Sequence, residues 1–257
     1  METIGSPEVN SAYDRRVAFP TELGNSTSTR LYGTSPTILI PVGSTEQHGP
    51  HLPLDTDTRI ATAVARAAVE QLRRPAGDED RYLLAPPIAY GASGEHEGFA
   101  GTVSIGTAAL TAVLVEYGRS ACSWAARLVF VNGHGGNVEA LRAAVGRLRF
   151  EGRDAGWCSC VAEGGDAHAG HTETSVLLHV SPGDVRTQDW CRGNQEPLAS
   201  LLPQLRHGGV AAVSEVGVLG DPTTATREDG ARILAAMVAD CARLVERWSP
   251  GADGMLT

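Results

Sequence analysis

Apolar residues fall along this chain in two patterns, short unbroken runs and spaced sets, and the two predict different elements. Thr37-Ile38-Leu39-Ile40, Tyr82 to Ile88, Leu128-Val129-Phe130-Val131 and Trp157 to Ala162 are short runs that read as buried strands. Ile60, Val64, Ala67, Ala68 and Leu72 recur at helical spacing and predict a helix stopped by Arg73-Arg74-Pro75-Ala76-Gly77. Leu110, Val113, Leu114 and Tyr117 share one face of a second helix that Thr107 can cap, and Val138, Leu141, Val145 and Leu148 mark a third. A short helix is expected from Ser175 to Val180. The last begins near Glu228 and carries Ile233, Leu234, Met237, Val238, Cys241, Leu244, Val245 and Trp248 on a core face. Strands alternating with helices predict an α/β fold with a mostly parallel sheet. Residues 181–209 show no readable pattern.

The polar residues concentrate where the strands end. Pro41 to Thr58 reads PVGSTEQHGPHLPLDTDT and packs Glu46, His48, His51, Asp55 and Asp57 into twelve positions. Carboxylates and imidazoles crowded beside a buried strand cost free energy unless partnered, and a divalent metal would satisfy them together. The alternative is a polar loop in which Asp55 or Asp57 caps the next helix. A second stretch, YGASGEHEGFAGTVSI, is a glycine-rich loop in which His96 either contacts substrate or metal or lies on the surface. A third, Asn132-Gly133-His134-Gly135-Gly136-Asn137, joins a strand to a helix and puts His134 where a parallel sheet receives ligands. A fourth holds Asp166, His168, His171 and Glu173, although Glu173 could simply favour a helix N-terminus.

Composition narrows the chemistry. The 257 residues fit one large domain, and 42% hydrophobic content supplies a sizeable core. A formal net charge of −9 without a long basic run argues against nucleic acid and anionic membrane as partners. The chain has no lysine, which removes Schiff-base and P-loop chemistry, and its glycines do not follow the dinucleotide-binding order. The five scattered cysteines fit reduced thiols, and no apolar leader or membrane-length run is present, so a cytoplasmic protein is expected.

In order, GSTEQHGPHLPLDTDT, EGFAGTVSI, NGHGGN, HAGHTETS and GDPTTAT resemble the creatininase family of metal-dependent amidohydrolases, from about Pro41 to Thr226. The resemblance implies a single-domain three-layer α/β/α sandwich, here over residues 31–250; residues 1–30, rich in Ser, Thr, Asn and Pro, are expected to form a partly irregular or subunit-contacting arm, and 251–257 a flexible tail. It also implies a hexamer holding two divalent ions per subunit, zinc, iron(II) or manganese. By that pattern Glu46 and His134 hold one ion, His48 the other, and Asp57 bridges them. His51, Asp55, His96, Gly135, Gly136 and His171 are left in supporting or substrate-contacting roles. Creatininase itself has a ligand glutamate where this chain has Gly136, so the missing carboxylate is assigned to Glu173, while His168 matches the histidine that moves the proton. Glycines at 135 and 136 leave room for a substrate longer than a small cyclic amide. Together with the AFPTELGNSTSTRL arm (Ala18 to Leu31), the pattern is most similar to family members that release a C-terminal Val-Tyr dipeptide from a modified precursor peptide. A cyclic amide or formamide hydrolase is the alternative within the family, and a non-catalytic metal-binding scaffold is the alternative outside it.

Overall fold

The computed structural model describes residues 21–73 and 81–257. Most of the expected arm and the Arg74 to Gly77 helix stop lie outside the described residues. Four parallel strands, β1 (Thr37–Val42), β2 (Tyr82–Leu84), β3 (Arg127–Asn132) and β4 (Ala155–Ser159), form one sheet in the order β2-β1-β3-β4. The helices are α1 (Ser28–Leu31), α2 (Thr56–Leu72), α3 (Gly106–Ala121), α4 (Val138–Phe150), α5 (His171–Val180), α6 (Leu198–Gly208) and α7 (Arg227–Arg247).

Side chains of a strand alternate between faces, and each face here meets its own helices. Leu39, Val129 and Val131 pack with α2, α5 and α7, while Ile38, Ile40, Val42, Leu128 and Phe130 pack with α3 and α4. The result is the expected three-layer sandwich. Handedness explains the division: the connection from β1 to β2 runs one way across the sheet, and those from β2 to β3 and β3 to β4 run the other. Right-handed crossovers therefore put α2 on the face opposite α3 and α4. The reversal leaves a crevice between the carboxyl ends of β1 and β3, the usual ligand position in such sheets.

Several local expectations need correcting. β2 stops at Leu84, and Ile88 contributes only an isolated bridge to Val42. β4 starts at Ala155, because small residues are buried there as fully as Trp157. Helix α3 begins at Gly106 without a side-chain cap, so Thr107 does not cap it, and Val113 is 44% exposed rather than on the core face. Helix α5 starts at His171, which puts Glu173 on the helix. Residues 198–208 form α6 despite the internal Pro203, a helix the sequence pattern hid. The final residues are pinned rather than loose. Leu256 is buried, its N–H donates to the Trp157 carbonyl at 2.9 Å, and the Trp157 N–H donates to Gly254 at 3.0 Å. Among the described residues no helix is long and apolar enough to cross a membrane.

Candidate metal centre

The chain leaving β1 delivers Glu46 and His48 into the crevice, and α2 delivers Asp57 from its first turn. Such a close approach needs a bare backbone opposite: a β-carbon on Gly133, just past β3, would run into the Asp57 carbonyl. Asp57 is locked in place. Its Oδ2 accepts the Ser44 hydroxyl at 2.7 Å, and the neighbouring Thr58 hydroxyl donates to the Ser44 carbonyl at 2.9 Å.

Asp57 faces two imidazoles with its two oxygens. Oδ1 is 3.1 Å from His48 Nε2 and Oδ2 is 3.2 Å from His134 Nδ1. His134 reaches Glu46 Oε2 at 3.2 Å through its other nitrogen. Glu173 stands 3.8 Å from His48 Nε2 and is steadied by the Ala169 N–H at 2.7 Å. His96 Nε2 lies 3.4 Å and His168 Nδ1 3.9 Å from Glu46 Oε1. Every one of these groups except Glu173 is buried.

The structure thus gathers Glu46, His48, Asp57, His134, His168 and Glu173, and it resolves the open question over His96 by placing it in the same cluster. Asp55 lies outside: its carboxylate binds Arg59 at 2.7 Å, and Arg59 also binds Asp184. His171 also turns away, to the Thr224 hydroxyl at 2.9 Å. His51 sits behind the cluster, with Nε2 2.9 Å from the Thr174 hydroxyl on α5. Asp166 accepts the N–H groups of His171 and Thr172, which holds the start of α5. Gln47 was not singled out by sequence, yet its side chain lies between His96 and His168. An uncharged amide between two conspicuous ionisable residues gives no titratable signal.

Electrostatics tie the cluster together. Burial opposes the charge on His48, but Asp57, with Glu173 and Glu46, overrides it and lifts the ring to about 10. Burial likewise opposes ionisation of Asp57, yet His48 and His134 hold its carboxyl well below the usual range. Burial, with Asp57 nearby, pushes Glu46 up, and burial pushes Glu173 up to about 7. His96 is driven down to about 3 by burial and by His134, and His168 is lowered by burial and by His48.

The donor set fits divalent metal. Both Glu46 carboxylate oxygens are buried without a hydrogen-bond partner, which is costly for a carboxylate unless a cation faces it. Three overlapping triads, Glu46-His48-Asp57, His48-His168-Glu173 and Glu46-His96-His168, bring their donor atoms within 4.8 Å of one another. All are nitrogen and oxygen donors, suited to zinc, iron or manganese. A cavity of about 750 Å³ opens beside the cluster, walled by Glu173, Gly133, Gly135, Cys160, Asp166 and His171.

The family model described as creatinine amidohydrolase, Creatininase, matches residues 25–245. The chain belongs to the creatininase family. Among its relatives, the mycofactocin precursor peptide peptidase of Mycobacterium tuberculosis (strain ATCC 25618 / H37Rv) is 69% identical over 97% of this chain and 100% of its own length. The protein of the same name from Mycolicibacterium smegmatis is 67% identical over 97% of this chain and all of its own length. Among solved structures, a manganese creatininase has a TM-score of 0.71 at 25% identity, covering 90% of this chain and 99% of its own. A Zn–Zn type of a mutant creatininase has the same score, identity and coverage. The family thus includes zinc and manganese forms. The chain shares its fold, and its donor cluster lies at the sheet's switch point.

Proposed function

We propose that this protein is a metal-dependent peptidase that hydrolyses an amide bond near the end of a modified precursor peptide and releases a C-terminal Val-Tyr dipeptide in mycofactocin biosynthesis. The observation that carries the reading is near-full-length identity to peptidases of that name, in a chain whose buried donor cluster opens on a peptide-sized cavity. Glu46, His134 and Asp57 would hold one ion, and His48, Asp57 and Glu173 a second. The opposed use of the two Asp57 oxygens supports its bridging role. Bound there, two divalent ions supply a Lewis acid for the amide carbonyl and lower the pKa of the attacking water. The chain's own residues do the rest. His168, buried beside Glu46, takes the water proton and passes it to the departing nitrogen. Asp166 fixes the start of α5 and so the placement of Glu173.

Gly135 supports the longer substrate, since a β-carbon there would meet nothing within 4 Å and the residue lines the cavity. Gly136 opens no such space, because the Ala92 carbonyl and the Glu95 carboxylate already fill it. A cytoplasmic hexamer completes the proposal, and sedimentation reads its size. The test of activity is a precursor peptide ending in Val-Tyr, incubated with protein loaded with zinc, iron(II) or manganese in turn. Mass spectrometry should show the released dipeptide. Turnover of creatinine or a formamide without dipeptide release would favour the cyclic amide or formamide reading, and no turnover with any metal would favour the scaffold.

A further inference from the structure

Gln47 lies between the two potential proton carriers of the site, and every polar atom of its amide has a partner. Oε1 accepts the Gly49 N–H at 2.9 Å, and Nε2 donates to the Gly217 carbonyl at 3.0 Å. A main-chain donor and a main-chain acceptor thus fix which end of the amide is oxygen and which is nitrogen. The NH2 end also meets His96 Nδ1 at 2.8 Å and His168 Nε2 at 3.1 Å. It has two hydrogens for three neighbours, and one is spent on Gly217.

His168 resolves the competition. Its Nε2 is also 3.0 Å from the main-chain carbonyl of Gln47, an atom that can only accept. If Nε2 carries the hydrogen and donates to that carbonyl, the remaining Gln47 hydrogen goes to His96 Nδ1, the nearer ring. Every hydrogen of the Gln47 amide and of His168 Nε2 then has an acceptor. The reverse arrangement, with a bare His168 Nε2, takes the amide hydrogen from His96 Nδ1, for which the only hydrogen-bond neighbour is an amide nitrogen that cannot accept.

We propose that Gln47 is a positioning residue that sets the tautomers of both histidines. In this assignment His168 carries its hydrogen on Nε2 and presents the Nδ1 lone pair to the site, while His96 carries its hydrogen on Nε2 and presents a donor there. His168 Nδ1 faces Glu46 Oε1 at 3.9 Å, so the nitrogen that receives the water proton is the one turned inward. The same nitrogen returns that proton to the leaving amine, so no proton is gained or lost over a turnover. His96 Nε2, 3.4 Å from Glu46 Oε1 without a hydrogen bond to it, carries a hydrogen in this assignment and so is not a metal ligand. The Glu46-His96-His168 triad thereby holds no ion.

The part of the inference that concerns His168 as proton carrier rests on the proposed hydrolysis; the tautomers do not, and the test separates them. Long-range 15N–1H spectra of the zinc-loaded, 15N-histidine-labelled protein should show both rings protonated at Nε2 and bare at Nδ1. In Gln47→Glu the amide donor becomes an acceptor, and His96 should move its hydrogen to Nδ1. In Gln47→Met the His96 ring should give mixed tautomer signals, while His168, held by the main-chain carbonyl that the substitution keeps, should stay protonated at Nε2. Peptide turnover should then fall about 10- to 100-fold in kcat with KM and zinc content unchanged, the usual reach of residues behind a site. Wild-type signals from a His168 protonated at Nδ1, or a His96 signal indifferent to Gln47→Glu, would overturn the proposal. Correct tautomers with no cleavage of any peptide would leave it standing and remove the peptidase reading.

Discussion

A β-carbon added to Gly136 would lie 2.5 Å from His134 Nε2. The same atom would stand 2.6 Å from Glu95 Oε1, so the space a side chain would claim at this position is already taken by the loop before α3. Gly136→Ala is therefore expected to push His134 off Glu46 and Asp57 and to cost about 1–3 kcal/mol of stability as an overpacked site. Gly136→Glu, which supplies the carboxylate of creatininase at this point, should lower metal content instead of restoring a ligand. Elemental analysis and thermal melts of both variants check this.

Asp57 opposes His48 with one oxygen and His134 with the other. Asp57→Ala should leave fewer than one metal ion per chain and abolish turnover, because both proposed ion positions lose a donor together. Full occupancy in that variant, read by elemental analysis, would remove the bridging role.

Metal uptake should release protons. With His48 raised to about 10, the metal-free protein holds this proton at pH 8, and a metal ligand must be neutral. Zinc binding at pH 8 should therefore release the His48 proton together with that of His134, which Glu46 and Asp57 also hold well above the usual imidazole range, and apparent affinity should rise with pH. Below about pH 7 Glu173 adds a further proton, because burial keeps it protonated there. Calorimetric titrations in buffers of different ionisation enthalpy count the protons released.

His168→Ala should keep the full metal complement and lose turnover by roughly 10²- to 10⁴-fold, the range of a general acid–base group. Loss of metal in parallel with activity would make His168 a ligand instead, through the His48-His168-Glu173 triad.

Leu256→Ala should cost about 2–5 kcal/mol, as buried leucine truncations do, because the chain end packs on β4 and against α7. Urea unfolding gives the number, and a change within about 0.5 kcal/mol, the size of an ordinary surface substitution, would return the end of the chain to a loose tail.

What the sequence revealed follows from how each feature is buried. The core strands were legible because a parallel sheet covered on both faces writes continuous apolar runs, as in Ile38 to Ile40 and Leu128 to Val131. The start of β4 was not, since Ala155 and Gly156 carry no strand signature and owe their place to partners on β3. Helix α6 was obscured by Pro203, which a short surface helix tolerates where the lost bond is exposed to water. In the site, ionisable residues announced themselves, but their separation into members of the cluster and bystanders needed three dimensions. Asp55 and Asp57 are two positions apart, yet one meets Arg59 at the surface and the other lies buried between two imidazoles. Gln47 was invisible because its importance lies in which atoms donate.

The strand that leads into Glu46 is the first of the sheet to be synthesised, yet it lies between two strands made later. A nascent chain thus exposes a largely apolar strand and, after it, the proposed donors Glu46, His48 and Asp57 with no crevice to enter. The crevice closes only when β3 arrives with His134, and the proposed donor set is complete only when α5 brings Glu173. Under the proposed assignment a chain cut before α5 would carry all four strands and still lack the Glu173 donor.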